Sequence, residues 1–379
     1  MKIGFVFDDG LDATDGVQQN ILTLGKWLEE NGHEVHYLVG ETKRTDLPTL
    51  HSLAKNIRVQ FNGNTLTVPL PTSKRKITWL LDELKLDVLH VQTPYSPFLG
   101  GRVLRLGHAK SVVISTFHIM ANSRFVDVAN HVLGVINRPT RKYIDLHVAV
   151  SEPAAMFAQR AYGYSCQVLA NPFELDRFLV KNEATESDQE VQIVFLGRLV
   201  NRKGARHLLE AVAHLRKSSP GLPAFRVHIG GKGVQREELE QFVSERHLQE
   251  IVHFHGFVAE EDKVAFLAQA DIAVFPSTSG ESFGISLLEG MASARGVVLA
   301  GNNPGYASVM ARSWSDQLFD PKNTAEFAHV LEKYIRSPKE RALAAKRQKK
   351  HTRQFDVRVV GPKLLNLYEA ALKKRKNAP

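Results

Sequence analysis

One stretch of this chain constrains the fold more than any other, because it joins a buried strand to a helix through a short turn. Residues Asp271 to Pro276 are mostly apolar, which is typical of a buried strand in a parallel sheet. Phe283 to Ile285 then opens a helix that we expect to continue to Ala292. Such a helix start offers backbone N–H groups and a partial positive charge to an anion. The stretch therefore predicts a strand–turn–helix unit with a candidate ligand site.

Two carboxylates flank this predicted helix start. Glu281 precedes the helix, Glu289 lies inside it, and seven residues separate them. A carboxylate can accept two hydrogen bonds from a vicinal diol, which suits a ribose or a hexose. The alternative at this point is that both glutamates are merely solvated.

Strands and helices alternate along most of the chain. A strand at Ile3–Phe7, an amphipathic helix over residues 17–31 and a strand at His33–Val39 start the first alternation, and Val191–Leu196 starts a second. A length of 379 residues allows two domains, each with its own core. We therefore predict an α/β protein with two doubly wound domains. No G-x-G-x-x-G follows the first strand, which argues against a dinucleotide oxidoreductase.

Composition limits the kinds of binding partner and the cellular compartment that we expect for this protein. The net charge of +9 favours an anionic partner such as nucleotide phosphates, acidic lipid or nucleic acid. No standard nucleic-acid motif is present, so we expect no nucleic-acid partner. The single cysteine, Cys166, excludes a disulfide framework and fits a reducing cytoplasm. No apolar run approaches the roughly 20 residues that span a bilayer. We therefore expect a cytoplasmic protein that at most lies on the inner face of the plasma membrane.

Two cations follow the first strand of the second alternation. Arg198 and Lys203, beside an expected helix start, can neutralise an anionic ligand such as a diphosphate. A coincidental surface pair is the alternative. Farther along, Gly230 to Gly233 forms a glycine loop through which backbone can approach a nucleotide.

The first half of the chain offers its own candidates at strand ends. Gly16-Val17-Gln18 stands at a helix start, where Asp15 can also serve as the N-cap. His118 follows the strand Ser111–Thr116, and ligands bind at the carboxyl ends of strands in open α/β sheets. A purely structural histidine is the alternative. The cations that could bind an anionic ligand, or simply form a charged surface, are Arg124, Arg138, Arg141 and Lys142.

The basic start of an expected helix, Lys74 to Lys76, predicts contact with a membrane. Trp79 falls opposite the apolar face of this helix and beside its cations, as interfacial binding requires. A solvated helix start with a half-buried tryptophan is the alternative. The tail Lys373–Lys376 is expected to be disordered and able to touch anionic lipid. The residues assigned to the membrane surface are Lys74, Arg75, Lys76 and Trp79.

These motifs together resemble family 4 of the retaining glycosyltransferases. Glu281 to Glu289 looks like the E-x7-E signature of that family, Gly197 to Gly204 like its G-R-L-x-x-x-K-G motif, and Thr116 to His118 like its T-F-H motif. The resemblance implies the GT-B architecture, with two Rossmann-like domains facing a central cleft. Among the members, the bacterial phosphatidylinositol mannosyltransferases look most similar.

The resemblance also implies a domain division. Residues 1–172 would form an acceptor-side domain, with a terminal helix over 355–372 packing back on it, and residues 173–354 a nucleotide-sugar-binding domain. We interpret the polar, acidic segment 181–190 as a linker region.

The activity implied is transfer of a hexose, with mannose favoured, to a membrane-associated lipid or glycan acceptor. The donor would be a nucleotide diphosphate sugar, GDP-mannose before a UDP-sugar, without a cofactor or metal. His253 and His255 share a strand face, but no third metal ligand is spaced nearby. Two alternatives stay open: a soluble family 4 enzyme acting on a glycan or small molecule, and a nucleotide-sugar sensor without turnover.

Roles for single residues follow from the same resemblance. Glu281 would contact the donor sugar, Glu289 the ribose, and His118 the junction of sugar and acceptor. The catalytic set is His118, Glu281, Arg198 and Lys203. The donor-binding set is Gly16, Gly231, Gly233, Val258, Phe283, Gly284, Ile285 and Glu289. The acceptor-side set is Gln18 and Arg124.

Overall fold

A computed structural model describes residues 1–13, 15–61, 64–121, 124–180, 190–310 and 312–377, without the side chains at 58–61, 64–68, 124–125 and 312–313. The chain divides into two units. The first unit comprises Met1–Phe173 with Phe355–Pro379, and the second comprises Glu174–Gln354. The segment interpreted as a linker lies outside the described residues, apart from Glu190.

The first unit is built on a parallel sheet with the order β3-β2-β1-β6-β7-β8-β9. Its inner strands are buried on both faces, because helices cover both sides. The order reverses between β1 and β6, the position at which doubly wound sheets bind ligands. The strands of this unit, including the antiparallel hairpin β4–β5, are β1 (Lys2–Phe7), β2 (Glu34–Val39), β3 (Leu50–Ser52), β4 (Asn56–Phe61), β5 (Asn64–Pro69), β6 (Val88–Val91), β7 (Val112–Phe117), β8 (Leu146–Ala149) and β9 (Cys166–Val168).

Two cores lie on opposite faces of this sheet. One contains apolar residues of α1 and of the last helix of the chain, and the other contains those of α2 and α3. The helices of the first unit are α1 (Gly16–Glu30), α2 (Lys74–Leu84), α3 (Leu99–Gly107), α4 (Arg124–Asn137) and α5 (Glu152–Tyr162). A 3-10 turn over Arg138–Tyr143 joins α4 to β8.

The last helix, α14 (Val357–Lys376), belongs to the first unit although it follows the second in the chain. Leu364 and Tyr368 are fully buried in the α1 core, and the Tyr368 hydroxyl is hydrogen-bonded to His90 Nδ1 at 2.7 Å. The expected disorder of Lys373–Lys376 is wrong. The helix continues through these residues because the Arg375 guanidinium donates hydrogen bonds to the carbonyls of His108 and Ser111.

The second unit repeats the doubly wound pattern with a sheet of order β12-β11-β10-β13-β14-β15, in which all neighbours are parallel. The order reverses between β10 and β13, so the loops after these two strands lie side by side. The α/β prediction is thus confirmed for both units. The strands are β10 (Val191–Leu196), β11 (Phe225–Gly230), β12 (Val252–Gly256), β13 (Ile272–Phe275), β14 (Val297–Gly301) and β15 (Leu318–Phe319).

Helices surround this second sheet, and its main core joins α7, α8 and α12 to one face of β10, β11 and β14. The predicted helix after the first glutamate is observed as α10. No helix among the described residues is long and apolar enough to cross a membrane. The helices are α6 (Leu175–Phe178), α7 (Ala205–Ser218), α8 (Arg236–Glu245), α9 (Lys263–Ala268), α10 (Ile285–Ser293), α11 (Pro304–Val309), α12 (Thr324–Arg336) and α13 (Pro338–Thr352).

Candidate active site

The loops after β10 and β13 bring two cations onto one carboxylate. Arg202 Nη1 lies 2.7 Å and Lys203 Nζ 2.8 Å from Glu281 Oε1, and the Ser277 hydroxyl donates to the same oxygen at 2.8 Å. Gly204 makes this possible. Its φ of +77° turns the chain into α7, and a Cβ there would lie 2.0 Å from the carbonyl oxygen of Pro276. The two loops therefore touch without a side chain between them.

The charges of this cluster determine its protonation. Burial by itself would raise the pKa of Glu281, but the positive charges of Lys203 and Arg202 outweigh burial and lower the pKa to about 2. Burial lowers the pKa of Lys203, and the neighbouring charges of Arg202 and Arg198 act in the same direction, opposed by Glu281. At neutral pH the carboxylate is ionised and held in one orientation. The cluster keeps an excess of positive charge, which is suited to an anionic ligand.

This low pKa predicts an acid-sensitive contribution to stability. Because the folded pKa lies below the ordinary value of 4.5, the contribution is present above pH 4.5 and is lost as the pH falls towards 2. We expect Glu281→Gln to lower the unfolding free energy of the second unit by up to about 3 kcal/mol at pH 7. The difference from wild type should shrink steadily below pH 4.5.

Urea unfolding at neutral and acidic pH measures this difference. Glu237→Gln, at an exposed position of α8, is the matched control and should leave the pH profile unchanged. A difference between wild type and Glu281→Gln that stays constant from neutral to acidic pH would contradict the assignment.

The second glutamate forms a separate buried cluster. Glu289 lies inside α10 with 4% of its surface exposed, and Lys263 Nζ is 2.9 Å from its Oε1. The same ammonium lies 2.8 Å from Glu260 Oε2. Burial opposes the charge on Lys263, but Glu289 and Glu260 outweigh it and raise the pKa of the lysine. A ribose diol would therefore compete with Lys263 for this carboxylate.

The start of α10 lies between these two clusters in the sequence. Gly284 caps the helix without a side-chain hydrogen bond, and its φ of +140° brings its backbone against the Tyr306 ring. Phe283 and Ile285 are buried on either side. The backbone N–H groups of the first turn are thus presented by a cap that has no side chain.

Three backbone segments join beside Arg198. The Gly197 N–H donates to Gly230, the Leu199 N–H to Lys232 and the Gly231 N–H to Gly256. A Cβ on Gly231 would lie 1.8 Å from the Gly197 oxygen, and one on Gly233 would lie 2.1 Å from the Leu199 oxygen.

These glycines are therefore required by the packing of neighbouring backbone, whatever ligand binds. Arg198 itself is exposed, and Val258 is half-buried over Gly230.

In the first unit, the start of α1, which was predicted to bind a ligand, is capped by a side chain of the protein itself. Asp15 accepts hydrogen bonds from the backbone N–H groups of Val17 and Gln18, and Gly16 is exposed. The Gln18 side chain is buried, and its amide donates to the Gly10 carbonyl at 3.1 Å. It holds the loop after β1 in place. The side chain of Arg124 lies outside the described residues.

His118 lies just after β7 with 7% of its surface exposed. Burial lowers its pKa to about 3, so the imidazole is neutral at pH 7. Its Nε2–H donates to Gln92 Oε1 at 2.7 Å, which leaves Nδ1 as the acceptor nitrogen. The Gln92 amide nitrogen is buried and has no hydrogen-bond partner among the described residues. The geometry thus holds a neutral histidine in one tautomer at a strand end.

The predicted site residues fall into several groups. Lys203 and Glu281 are in contact, Arg198 is close enough to affect the pKa of Lys203, and Glu289 lies in its own cluster. Lys74, Arg75, Lys76 and Trp79 are exposed on α2, with Trp79 exposed by 63%. Among the described residues, no group of three or more His, Cys, Asp or Glu side chains is arranged to hold a metal.

Sequence reasoning missed two cations of the site. Arg202 occupies an unassigned position of the G-R-L-x-x-x-K-G motif, and its proximity to Lys203 was the available signal. Lys263 carries no sequence signal, because only the packing of α9 against α10 brings it to Glu289.

Comparison with protein families gives two adjoining matches. The model described as Glycosyltransferase Family 4 matches residues 14–177, and the model described as Glycosyl transferases group 1 matches residues 176–351. Together they cover both units apart from the chain ends.

Individual relatives match most of the chain. The phosphatidyl-myo-inositol mannosyltransferase of Mycolicibacterium smegmatis is 29% identical over 97% of this chain and 94% of its own. The 2-deoxystreptamine glucosyltransferase of Streptomyces kanamyceticus is 28% identical over 85% of this chain and 86% of its own.

Solved structures share the fold at lower identity. A glycosyltransferase from Rickettsia africae matches with a TM-score of 0.77 and 17% identity over the full length of both chains. HepE of Anabaena in complex with UDP matches with a TM-score of 0.72 and 17% identity over 98% of this chain and all of its own.

Proposed function

Because this chain belongs to family 4 of the glycosyltransferases, we propose that it transfers a hexose, mannose before other sugars, from a nucleotide diphosphate sugar to a membrane-associated lipid or glycan acceptor. In the reaction, the bond between the anomeric carbon and the diphosphate oxygen breaks. A bond from the same carbon to an acceptor hydroxyl oxygen forms, and the hydroxyl proton is released. Configuration at the anomeric carbon is retained, and no covalent glycosyl-enzyme forms.

The observation that carries this proposal is the cluster of Arg202, Lys203 and Glu281 at the edge of the second sheet. The two cations and exposed Arg198 supply positive charge for a diphosphate, and they stabilise the charge that develops on it as the sugar leaves. Glu281 is ionised and held in place, so it can accept hydrogen bonds from sugar hydroxyls.

The remaining donor contacts are assigned to the neighbouring backbone and to the second carboxylate. Gly231, Gly233 and Val258 lie along the joined loops beside Arg198 and would contact the nucleotide. The start of α10 would donate N–H groups, and Glu289 would bind the ribose in place of Lys263. From the first unit, Gly16 would approach the diphosphate.

His118 is assigned to the junction of donor sugar and acceptor. Its neutral imidazole presents Nδ1 as an acceptor, which suits a hydrogen bond from a sugar or acceptor hydroxyl. Gln18 and Arg124 are assigned to the acceptor side. We place the reaction at the inner face of the plasma membrane, where the basic start of α2 would meet anionic lipid.

Donor screening tests the proposal directly. A bound ligand raises the melting temperature by mass action, so we expect GDP-mannose to stabilise the protein more than UDP-glucose or UDP-N-acetylglucosamine. Mannose transfer from radiolabelled GDP-mannose to phosphatidylinositol vesicles should follow. If none of the donors stabilises the protein and none is transferred or hydrolysed, the enzyme assignment fails and a non-catalytic sensor is favoured.

A soluble family 4 enzyme with a small-molecule acceptor is the second candidate, and the similarity to 2-deoxystreptamine glucosyltransferase favours it. Flotation with anionic vesicles separates the two candidates. Absence of binding at low salt, together with transfer to a soluble glycan or aminocyclitol, would replace the lipid acceptor and keep the transferase.

A further inference from the structure

Helix α4 of the first unit buries its polar face. Asn130, Gly134 and Asn137 are the buried positions on this side of the helix. Asn130 Oδ1 accepts from the Tyr162 hydroxyl at 2.6 Å, and Asn137 Nδ2 donates to the Tyr95 carbonyl at 2.5 Å. The polar groups that attach α4 to the protein are therefore paired.

The opposite face of the same helix is apolar and exposed. Four branched aliphatic side chains lie within an arc of about 100° on the helix surface. Each exposes more than half of its surface, in contrast to the apolar face of an ordinary surface helix, which is buried. We call these residues the α4 stripe: Val128 (62%), Val132 (55%), Val135 (71%) and Ile136 (59%).

Rotation of the helix cannot turn this stripe inward at low cost. Gly134 packs directly on α5, where a Cβ would lie 2.0 Å from the Ala161 carbonyl oxygen. A rotated helix would place a valine or isoleucine against that backbone and leave Asn130 and Asn137 without their partners. The exposed apolar face is thus fixed by contacts on the other side.

The charges around the α4 stripe indicate which kind of surface covers it. Arg138, Arg141 and Lys142 are exposed in the turn that directly follows α4. The acidic residue of α4, Asp127, is paired with Arg160 at 2.8 Å. Apolar side chains beside exposed cations are the pattern by which a surface helix enters the boundary between headgroups and acyl chains of an anionic bilayer.

We propose that the α4 stripe is a membrane-docking element that inserts its apolar side chains into an anionic lipid surface, separately from the basic start of α2. Docking by α2, as proposed above, would rest on cations and one tryptophan and would depend on electrostatic attraction. Docking by α4 rests on buried apolar area, so it persists when salt screens the charges.

A second copy of this chain fits the stripe less well. A symmetric dimer places the same surface on both partners, so each Arg138, Arg141 and Lys142 would approach its own counterpart. No described acidic side chain of α4 other than the paired Asp127 is present to offset that repulsion. An anionic lipid surface supplies the missing negative charge.

The test measures vesicle binding of the full chain without a nucleotide sugar, so it does not depend on the proposed transferase activity. The probe is a vesicle of phosphatidylcholine and phosphatidylglycerol, used at low and high salt. We expect Val132→Asp with Val135→Asp to lower the partition coefficient about tenfold or more, including the part that survives high salt. The matched control is Val234→Asp, because Val234 is an exposed valine of the second unit (82%), and it should change binding less than about twofold.

Two further measurements keep the proposal falsifiable. Circular dichroism establishes that the aspartate variant is folded. If it is not, Val135→Trp takes its place, and the emission of the introduced tryptophan should shift to shorter wavelength on anionic vesicles, in excess of the shift from Trp79.

Unchanged binding by the folded aspartate variant, or an unshifted emission from the introduced tryptophan, overturns the proposal. Sedimentation velocity gives the remaining outcome. If the wild type is a dimer that Val135→Asp dissociates, and neither protein binds vesicles, a second copy covers the stripe and the proposal is wrong.

Discussion

Replacing Lys203 by alanine is expected to lower kcat/KM for sugar transfer by a hundredfold or more, which corresponds to about 3 kcal/mol of transition-state stabilisation. The variant removes a half-buried cation from the proposed diphosphate site. It also leaves the Glu281 carboxylate with one fewer of the positive charges that keep it ionised. Both losses act on the same step, because the carboxylate and the cation would bind adjoining parts of one donor.

The matched control is Lys333→Ala. Lys333 is also paired with a carboxylate, that of Asp316 at 2.9 Å, but it lies on α12 with 35% of its side chain exposed. Surface pairs contribute at most about 1 kcal/mol to stability, and transfer should proceed at the wild-type rate. Initial rates with a saturating acceptor measure both variants. Wild-type turnover by folded Lys203→Ala would remove the diphosphate assignment.

The second large effect is expected for Gly231→Ala. Its φ of +141° is strained for any residue with a side chain, and an added Cβ would lie 1.8 Å from the Gly197 oxygen. Strain and overlap together should cost about 3 kcal/mol or more in the unfolding free energy of the second unit. The loop that carries Arg198 must move to relieve the overlap, so donor affinity should fall with stability.

Gly221→Ala separates the two causes. Gly221 also has a positive φ, of +70°, but an added Cβ would meet nothing within 4 Å. That substitution should cost only about 1 kcal/mol. Urea unfolding of both variants gives the comparison, and donor binding by calorimetry gives the functional part. Equal costs at the two glycines would mean that conformation alone, and not the close approach of the loops, requires Gly231.

Sequence patterns were sufficient to predict contacts that follow from strand order. Lys203 and Glu281 each follow a strand, and neighbouring parallel strands present their carboxyl ends at one edge, so their meeting was predictable. Arg202 and Lys263 were not predictable, because a single 3-10 turn and one helix–helix contact direct their side chains.

Helix α4 could not be interpreted correctly from its pattern. Apolar residues at helical spacing ordinarily indicate the buried face, whereas here the asparagines are buried and paired.

The carboxyl end of α14 also differs from the prediction. Residues Lys373–Lys376 were expected to be disordered, but they continue the helix. In the sequence, these basic residues look solvated. The order of Arg375 depends on its hydrogen bonds to the carbonyls of His108 and Ser111 near the end of α3, and the sequence does not reveal these contacts.

The position of α14 has a consequence for the order of events during translation. Residues 174–354 are continuous and can fold as soon as they leave the ribosome, whereas the first unit lacks part of its core until residues 355–377 have been synthesised. The amino-terminal half of the polypeptide is thus the last to be completed. Until then its nascent sheet exposes the apolar surface that Leu364 and Tyr368 will cover.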